Sequence, residues 1–535
     1  MHNPNPLTSR RAFLARWPAA AGMALAIQPG AASAAETTLR PGEFNVRQFG
    51  ARGDGQTLDT RALQKAIEAC AQNGGGTVHL PPGRYLSGTL FLRSWVTLEL
   101  AAGATLLGSR RLEDYPPTIS AIRSYTDIYT ERSLIYGEDL EHVALQGRGA
   151  LDGQGAAFKG PHKVRPYLVR LANCRDVLVR DLTLRDSPMW VQHYLACDGL
   201  RLDGLTVLSK CNANNDGLDI DGCQRVRIAN CDIQSGDDAL VLKSTLNRPC
   251  KHVVITNCLL SSDCNAFKLG TESNGGFEDI ALSNCAIYDT RLAGIALETV
   301  DGGTLDGVRI SNVTMHNVRG PLFIRLGNRA RPFQAGMPPP GVGTLRNVSI
   351  SHLQATGADH TGCCIAGLPG HPVENVTLSN IRLQFAGGGK ADEARREIME
   401  KPEAYPEYSM FGVLPAYGFY CRHAHNLAFH NVELSTIAPE ARPSLMCEDV
   451  DLLRVFAWSA LAVAGTAPVM RLESVRNALI EGCRASPGIG PYLRVGGKDT
   501  AGIRLLANDL SQAGKGVEAD PDVPPGAVSP GDSGP

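Results

Sequence analysis

Three aspartates set the chemistry open to this chain. Asp216 lies in Asn214-Asn215-Asp216-Gly217-Leu218-Asp219-Ile220-Asp221, and Asp237 and Asp238 lie in Ser235-Gly236-Asp237-Asp238-Ala239-Leu240-Val241-Leu242-Lys243-Ser244. Asp238 follows Asp216 by 22 residues, one period of the repeat described below. In stacked parallel strands such positions are neighbours about 4.8 Å apart. Carboxylates held that close cannot all ionise freely, so at least one pKa should rise. A protonated carboxyl beside a charged one suits cleavage of a glycosidic bond: one donates a proton to the leaving oxygen, the other acts as base or nucleophile. Gly217 and Gly236 flank the acids and leave room for a ligand. The plainer alternative is that stacked aspartates cap backbone amides or bind calcium.

A stack of short strands must hold these acids. Val177–Leu182 and Leu200–Leu205 are early copies of a unit. It returns most clearly as Val226-Arg227-Ile228-Ala229-Asn230-Cys231, Val253-Val254-Ile255-Thr256-Asn257-Cys258 and Ile280-Ala281-Leu282-Ser283-Asn284-Cys285. Later copies begin at Val308, Val348, Val376 and Leu427, with a worn one at Leu479. Each alternates apolar with polar residues, as a strand with one buried face does. The recurrent Asn sits at the strand end, where left-handed backbone geometry is tolerated. Such a period, with strands and no intervening helices, predicts an all-β parallel β-helix; the fixed leucine pattern of leucine-rich repeats is missing. By the same arithmetic Lys268 falls in the column of Asp219 and Ala296, and Lys243 and Arg325 in the column of Glu298. Glu298 is therefore expected to pair with Lys243 or Arg325, or else to accept hydrogen bonds from sugar hydroxyls. His193 and Arg422-His423 are weaker candidates, since a lone histidine more often serves structure.

The remaining chain reads as support. Ser9-Arg10-Arg11-Ala12-Phe13-Leu14, an apolar run from Trp17 to Ile27 and Ala32-Ser33-Ala34 predict a twin-arginine-type signal over residues 1–34. The expected partner there is the twin-arginine export machinery, and the expected location periplasmic or secreted, with no membrane attachment after signal removal. Residues 35–141 read as an amino-terminal cap and first coils. Asp59 is expected to cap a helix whose Leu63, Ala66, Ile67 and Cys70 form one apolar face ended by Gly74-Gly75-Gly76. The central β-helix runs over 142–386. Residues 387–420 interrupt it with a helix-prone charged stretch, Ala391–Lys401, and aromatic, proline-rich segments around Tyr405 and Tyr417. That insertion is expected either to wall the cleft or to pack as a lid. Further coils fill 421–516, and the Pro/Gly-rich tail, 517–535, reads as disordered. A net charge of −2 gives no reason to expect nucleic acid. Cys231, Cys258 and Cys285 recur at one repeat position and are expected as free, stacked thiols; Cys363, Cys364, Cys421 and Cys447 are the candidates for disulfides.

Asn214-Asn215-Asp216 followed by Gly236-Asp237-Asp238 resembles glycoside hydrolase family 28, the polygalacturonase family, whose hallmark is Asn-Thr-Asp then Gly-Asp-Asp on a right-handed parallel β-helix. The resemblance covers most of the chain after the signal, including Ser187-Pro188-Met189-Trp190. It implies hydrolysis with inversion, Asp237 as general acid, and Asp216 with Asp238 activating water. It then departs from the family. The family's Gly-His-Gly is replaced by Cys264-Asn265-Ala266, and its uronate-gripping Arg-Ile-Lys by Ala296-Leu297-Glu298. The expected substrate is thus a pectin-like or related plant glycan other than ordinary polygalacturonan. Asn214, Asp219, Lys243, Asn265, Lys268, Glu298 and Arg325 are the expected substrate-binding residues, with no metal or cofactor. The alternatives are a calcium-dependent lyase or epimerase using a base such as Lys268, and a non-catalytic glycan-binding β-helix.

Overall fold

The computed structural model describes residues 42–122, 124, 129–461 and 467–530; the expected export segment lies outside them. From residue 42 onward the described chain is a right-handed parallel β-helix closed at its amino-terminal end by one helix, α1 (Thr60–Gln72). Leu63, Ala66, Ile67 and Cys70 of α1 are buried against the first coil, as their spacing requires. Asp59 caps α1 only through its backbone: Leu63 N donates to its carbonyl at 3.0 Å. Its carboxylate turns instead to Arg52 N and Gly53 N at 2.7 and 2.9 Å, tying down the Gly-rich turn.

The repeat units stack in register. Val226, Val253, Ile280, Val308, Val348, Val376, Leu427 and Leu453 form one ladder; Ile228, Ile255, Leu282, Ile310, Ile350, Leu378, Phe429 and Val455 form the next inward-facing one. Both lie in a single apolar core that runs from Val46 to Leu505. The strand-ending Asn residues take positive φ (Asn230 57°, Asn257 55°, Asn284 55°, Asn312 59°). Their amides then reach the residue one coil away, as Asn312 does to Asn284 at 2.9 Å and Asn426 to Asn375 at 2.7 Å. A short side chain with donor and acceptor suits both demands, and His352 at φ 51° takes the same place in one coil, where it meets the Asn380 amide at 3.2 Å.

All fifteen cysteines lie among the described residues and are free thiols. Cys363 and Cys364 point to opposite faces of one strand, Cys363 into the main core and Cys364 into a second cluster outside it. Cys421 and Cys447 are register neighbours in adjacent coils and are likewise free.

Two further expectations give way. Residues 517–530 are ordered: Ala513–Ala519 pairs with Ile489–Gly496 and Val528–Pro530 with Ala501–Leu506, completing the last coil. The prolines and Gly526 shape the turn between those strands, and Arg494 fixes it by pairing with Asp520 at 2.7 Å. The stretch Ala391–Lys401 is not a helix beyond a single 3-10 turn, Glu393–Arg395. Its carbonyls have other partners, Ile398 O accepting from Arg422 and Glu400 O from Arg325.

The strands that matter below are β1 (Gln192–Leu195), β2 (Leu218–Asp221), β3 (Leu240–Ser244), β4 (Phe267–Ser273), β5 (Phe277–Thr299) and β6 (Thr304–Leu326).

Candidate active site

The acids are carried by the turns that feed β2 and β3, and Asn265 by the turn that feeds β4. Gly217 N donates to Asp238 O at 2.9 Å and Ala239 N to Asn265 O at 2.9 Å. These bonds stack Asp216, Asp238 and Asn265 in successive coils, as the repeat arithmetic requires. The turn bearing Asp216 is fixed by buried Asn215, whose amide donates to Ser187 O and Met189 O at 2.8 and 2.9 Å and accepts from Asn212 N. Ser235 and Ser262 hydroxyls both donate to the Asp237 carbonyl, at 2.5 and 2.6 Å. The backbone is thereby clamped while the Asp237 side chain stays half-open, whereas Asp216 and Asp238 are buried.

Their electrostatic surroundings differ. Asp238 is buried, which works against its charge. Lys268 at 3.2 Å, Lys243, and the Asn265 amide at 2.8 Å outweigh that and hold it below the usual carboxylate range. Asp237 is pushed up by burial and by Asp238. Asp216 is pushed well up by burial and by Asp219 and Asp237, and Asp219 by its own burial. Lys243 stands 3.6 Å from Asp216, 3.4 Å from Asp219 and 3.4 Å from Glu272. One ammonium cannot neutralise three carboxylates. Glu272 is drawn down to about 2 against its burial by Lys243, Arg329 and Arg331, whereas Asp216 and Asp219 are both raised. Buried Lys243 and Lys268 are both raised well above an ordinary lysine by these acids, despite the opposing effect of burial.

The register confirms Lys268 in the column of Asp219 and Ala296. It overturns the expected partners of Glu298. The pairing of β3 with β4 shifts after Leu242/Leu269, so Gly270, Thr271 and Glu272 bulge outward and Lys243 meets Glu272 instead. Arg325 is beside Glu298 in register, but its guanidinium donates to Gly367 O and Glu400 O, at 2.9 and 2.6 Å, anchoring the insertion. Glu298 faces Lys268 at 3.8 Å and Thr271 Oγ1 at 3.3 Å, is fully buried, and is raised to about 8 by that burial. It is closed to a sugar hydroxyl. Half-buried Asn214 is engaged by Arg165 at 2.9 Å and His162 at 3.0 Å. Asp219, Lys243, Asn265 and Lys268 are buried beneath the aspartates and serve as their support. His193 is buried at 3.3 Å from Asp221. Arg422 and His423 pair with Glu400 of the insertion.

The insertion packs on the outside of the β-helix. Tyr408, Phe411, Leu414 and Ile398 bury themselves on Ala293, Ala296 and Phe323, the outer face of β5 and β6. Ala296, where the resemblance predicts an arginine, therefore lies under protein. From the same insertion Glu407 reaches within 4.0 Å of Cys264, and the Tyr405 ring lies 5.6 Å from Lys268 Nζ. Opposite, the Trp190 ring lies 4.7 Å from Lys243 Nζ. Glu272, Glu407, Arg329 and Arg331 escape sequence reasoning because a bulge, an insertion and a loop, not the repeat, deliver them. Asp237, Asp238 and Cys264 have the mutual spacing of metal ligands, all within 4.8 Å, but Lys268 already holds a positive charge 3.2 Å from Asp238, which disfavours a cation there.

A parallel β-helix with Asp216, Asp237 and Asp238 clustered on one face is an arrangement suited to cleaving carbohydrate. Residues 76–401 match the model of glycosyl hydrolases family 28, and the chain belongs to that family. It is 35% identical over 223 residues to a "Probable polygalacturonase" of Vitis vinifera, spanning 39% of this chain and 45% of that protein. It is 28% identical over 258 residues to "Exo-poly-alpha-D-galacturonosidase" of Dickeya chrysanthemi, spanning 38% of this chain and 42% of that protein. The match thus spans less than half the length of either relative. A solved exopolygalacturonase from Thermotoga maritima shares the fold with a TM-score of 0.61 at 22% identity, covering 73% of this chain and 91% of that one. Among the described residues no helix is long and apolar enough to cross a membrane.

Proposed function

We propose that this chain is an exported hydrolase that cleaves pectin-like glycans with inversion. Asp237 donates a proton to the leaving glycosidic oxygen; Asp238, with Asp216 beside it, draws the proton from the attacking water. The observation that carries this reading is the asymmetry between adjacent residues. Asp238 is gripped by Lys268 and the Asn265 amide and stays charged, while Asp237 stands half-open and is raised toward its protonated form. That division is what an acid–base pair needs. The names of the similar proteins support a pectic substrate. Ala296 is buried under the insertion and Glu298 is closed to solvent, so neither position can grip a uronate carboxylate, which supports a sugar other than the galacturonate of ordinary polygalacturonan. Export rests on the arginine pair and the apolar run that follows it.

The test is incubation of the purified protein with pectic fragments, rhamnogalacturonans and other plant glycans, followed by product mass and the configuration of the first-formed anomer. The expected products carry new reducing ends of inverted configuration, without the ultraviolet-absorbing unsaturated sugars that a lyase leaves. Retained configuration or unsaturated products would overturn it. A lyase reading needs a neutral basic side chain, whereas Lys268, 3.2 Å from Asp238, is raised well above an ordinary lysine by that neighbour.

A further inference from the structure

Resting on the glycan-cleaving reading above, we propose that Tyr405 of the insertion is the stacking platform for the sugar ring seated beside Asp237 and Asp238, and so a specificity-determining residue. The insertion's other large rings are spent on packing: Tyr408, Phe411 and Tyr417 are buried. Tyr405 is 55% exposed, although it lies beside Lys268 and Arg329. It stands 5.6 Å above Lys268 Nζ and 5.7 Å from the Arg329 guanidinium. Two cations this close to an aromatic ring are attracted to its negative face. The segment is pinned on both sides. Asn328 N donates to Pro402 O at 2.7 Å, and the Tyr408 hydroxyl donates to Arg319 O at 3.1 Å. Arg329 is itself held by Asp301, whose Oδ1 accepts from its Nε at 3.0 Å. A large amphipathic ring presented rigidly and open to solvent beside catalytic carboxyls suits a pyranose, one face of which is a patch of C–H groups. Lys268 links the two functions, since it supports the ring and also holds Asp238 charged.

The plainer role for this ring is a cover that keeps water from Lys268, and side-chain replacement separates the two. The probe is the oligosaccharide pool released from pectin by partial acid hydrolysis. Binding is measured by calorimetry in an Asp237→Asn background, and turnover in the otherwise wild-type chain. A platform predicts that Tyr405→Ala and Tyr405→Leu each weaken binding and raise KM at least tenfold while kcat falls less than threefold. Tyr405→Phe and Tyr405→Trp should restore binding. Met399→Ala, an exposed side chain of the same insertion, is the control and should match wild type. A cover predicts that Leu works as well as Phe and that Ala shifts the pH profile instead. Equal KM for the Ala, Leu and Phe variants overturns the proposal, as does the absence of binding to the pool. Failure of the acid–base reading shows separately, as an Asp237→Asn variant that turns over like wild type.

Discussion

At the scale of single residues, the chemistry depends on keeping neighbouring carboxyls in different states. Asp237→Asn should lower kcat by at least a thousandfold with the fold intact, read by reducing-end release and by an unchanged circular dichroism spectrum. Asn265 helps hold Asp238 charged through its 2.8 Å amide contact. In Asn265→Ala the Asp238 pKa should rise, and because the base works ionised, the acid limb of the activity profile should move to higher pH by about half to one unit. Glu298 gives a prediction with the opposite sign from an ordinary salt-bridged acid. Its carboxyl titrates near 4.5 when unfolded and about 8 when folded. Between those values the folded chain holds a proton that the unfolded chain has released, so stability falls as pH rises through that window. Glu298→Gln removes that dependence. Its Tm should equal that of wild type near pH 4.5 and exceed it by several degrees at pH 8; a gap of constant size across the range would refute the buried, proton-holding Glu298.

At the scale of elements, the insertion changes what the strands can present. It seats on β6 because Gly320 has no side chain: a Cβ there would lie 1.9 Å from the Tyr408 ring. Gly320→Ala should therefore lift the insertion and expose Ala296 and Phe323, detectable as rapid proteolysis within residues 391–413 while the solenoid resists. Tyr408→Ala leaves the backbone room but empties the pocket, and should cost about 3–5 kcal/mol in denaturant unfolding of whichever unit includes the insertion. The register bulge at Gly270 and Thr271 is the other deciding element. It takes Lys243 away from Glu298 and gives it to Glu272.

For the whole molecule, stability is spread along one axis, and each coil is buttressed by its neighbours. The thiols belong to this stack. Alkylation of the unfolded chain should give the same fifteen-adduct mass with and without prior reduction. In the native state labelling should be confined to half-buried Cys211 and Cys264, since buried thiols are inert. A mass difference on reduction would show that the Cys421–Cys447 or another neighbouring pair bonds.

The sequence by itself determined the β-helix, the Asn positions at its corners, the α1 face and the stacking of Asp216 with Asp238. All of these are properties of a repeat, and a repeat puts spatial neighbours at fixed sequence distance. It likewise placed Lys268 beneath Asp219 and beside Ala296, and the order of residues 517–530 was missed only because turn-forming Pro and Gly resemble a disordered composition. What only the tertiary structure decided lies where the period breaks. The bulge at Gly270 reassigned Lys243, the pull of the insertion's carbonyls removed Arg325 from the site, and a non-repeating segment brought Tyr405 and Glu407 to the aspartates. Sequence arithmetic cannot follow a chain that leaves its own register, and in this protein Glu272, Tyr405 and Glu407 reach the neighbourhood of the aspartates by that route, while Lys268 and Asn265 reach it in register.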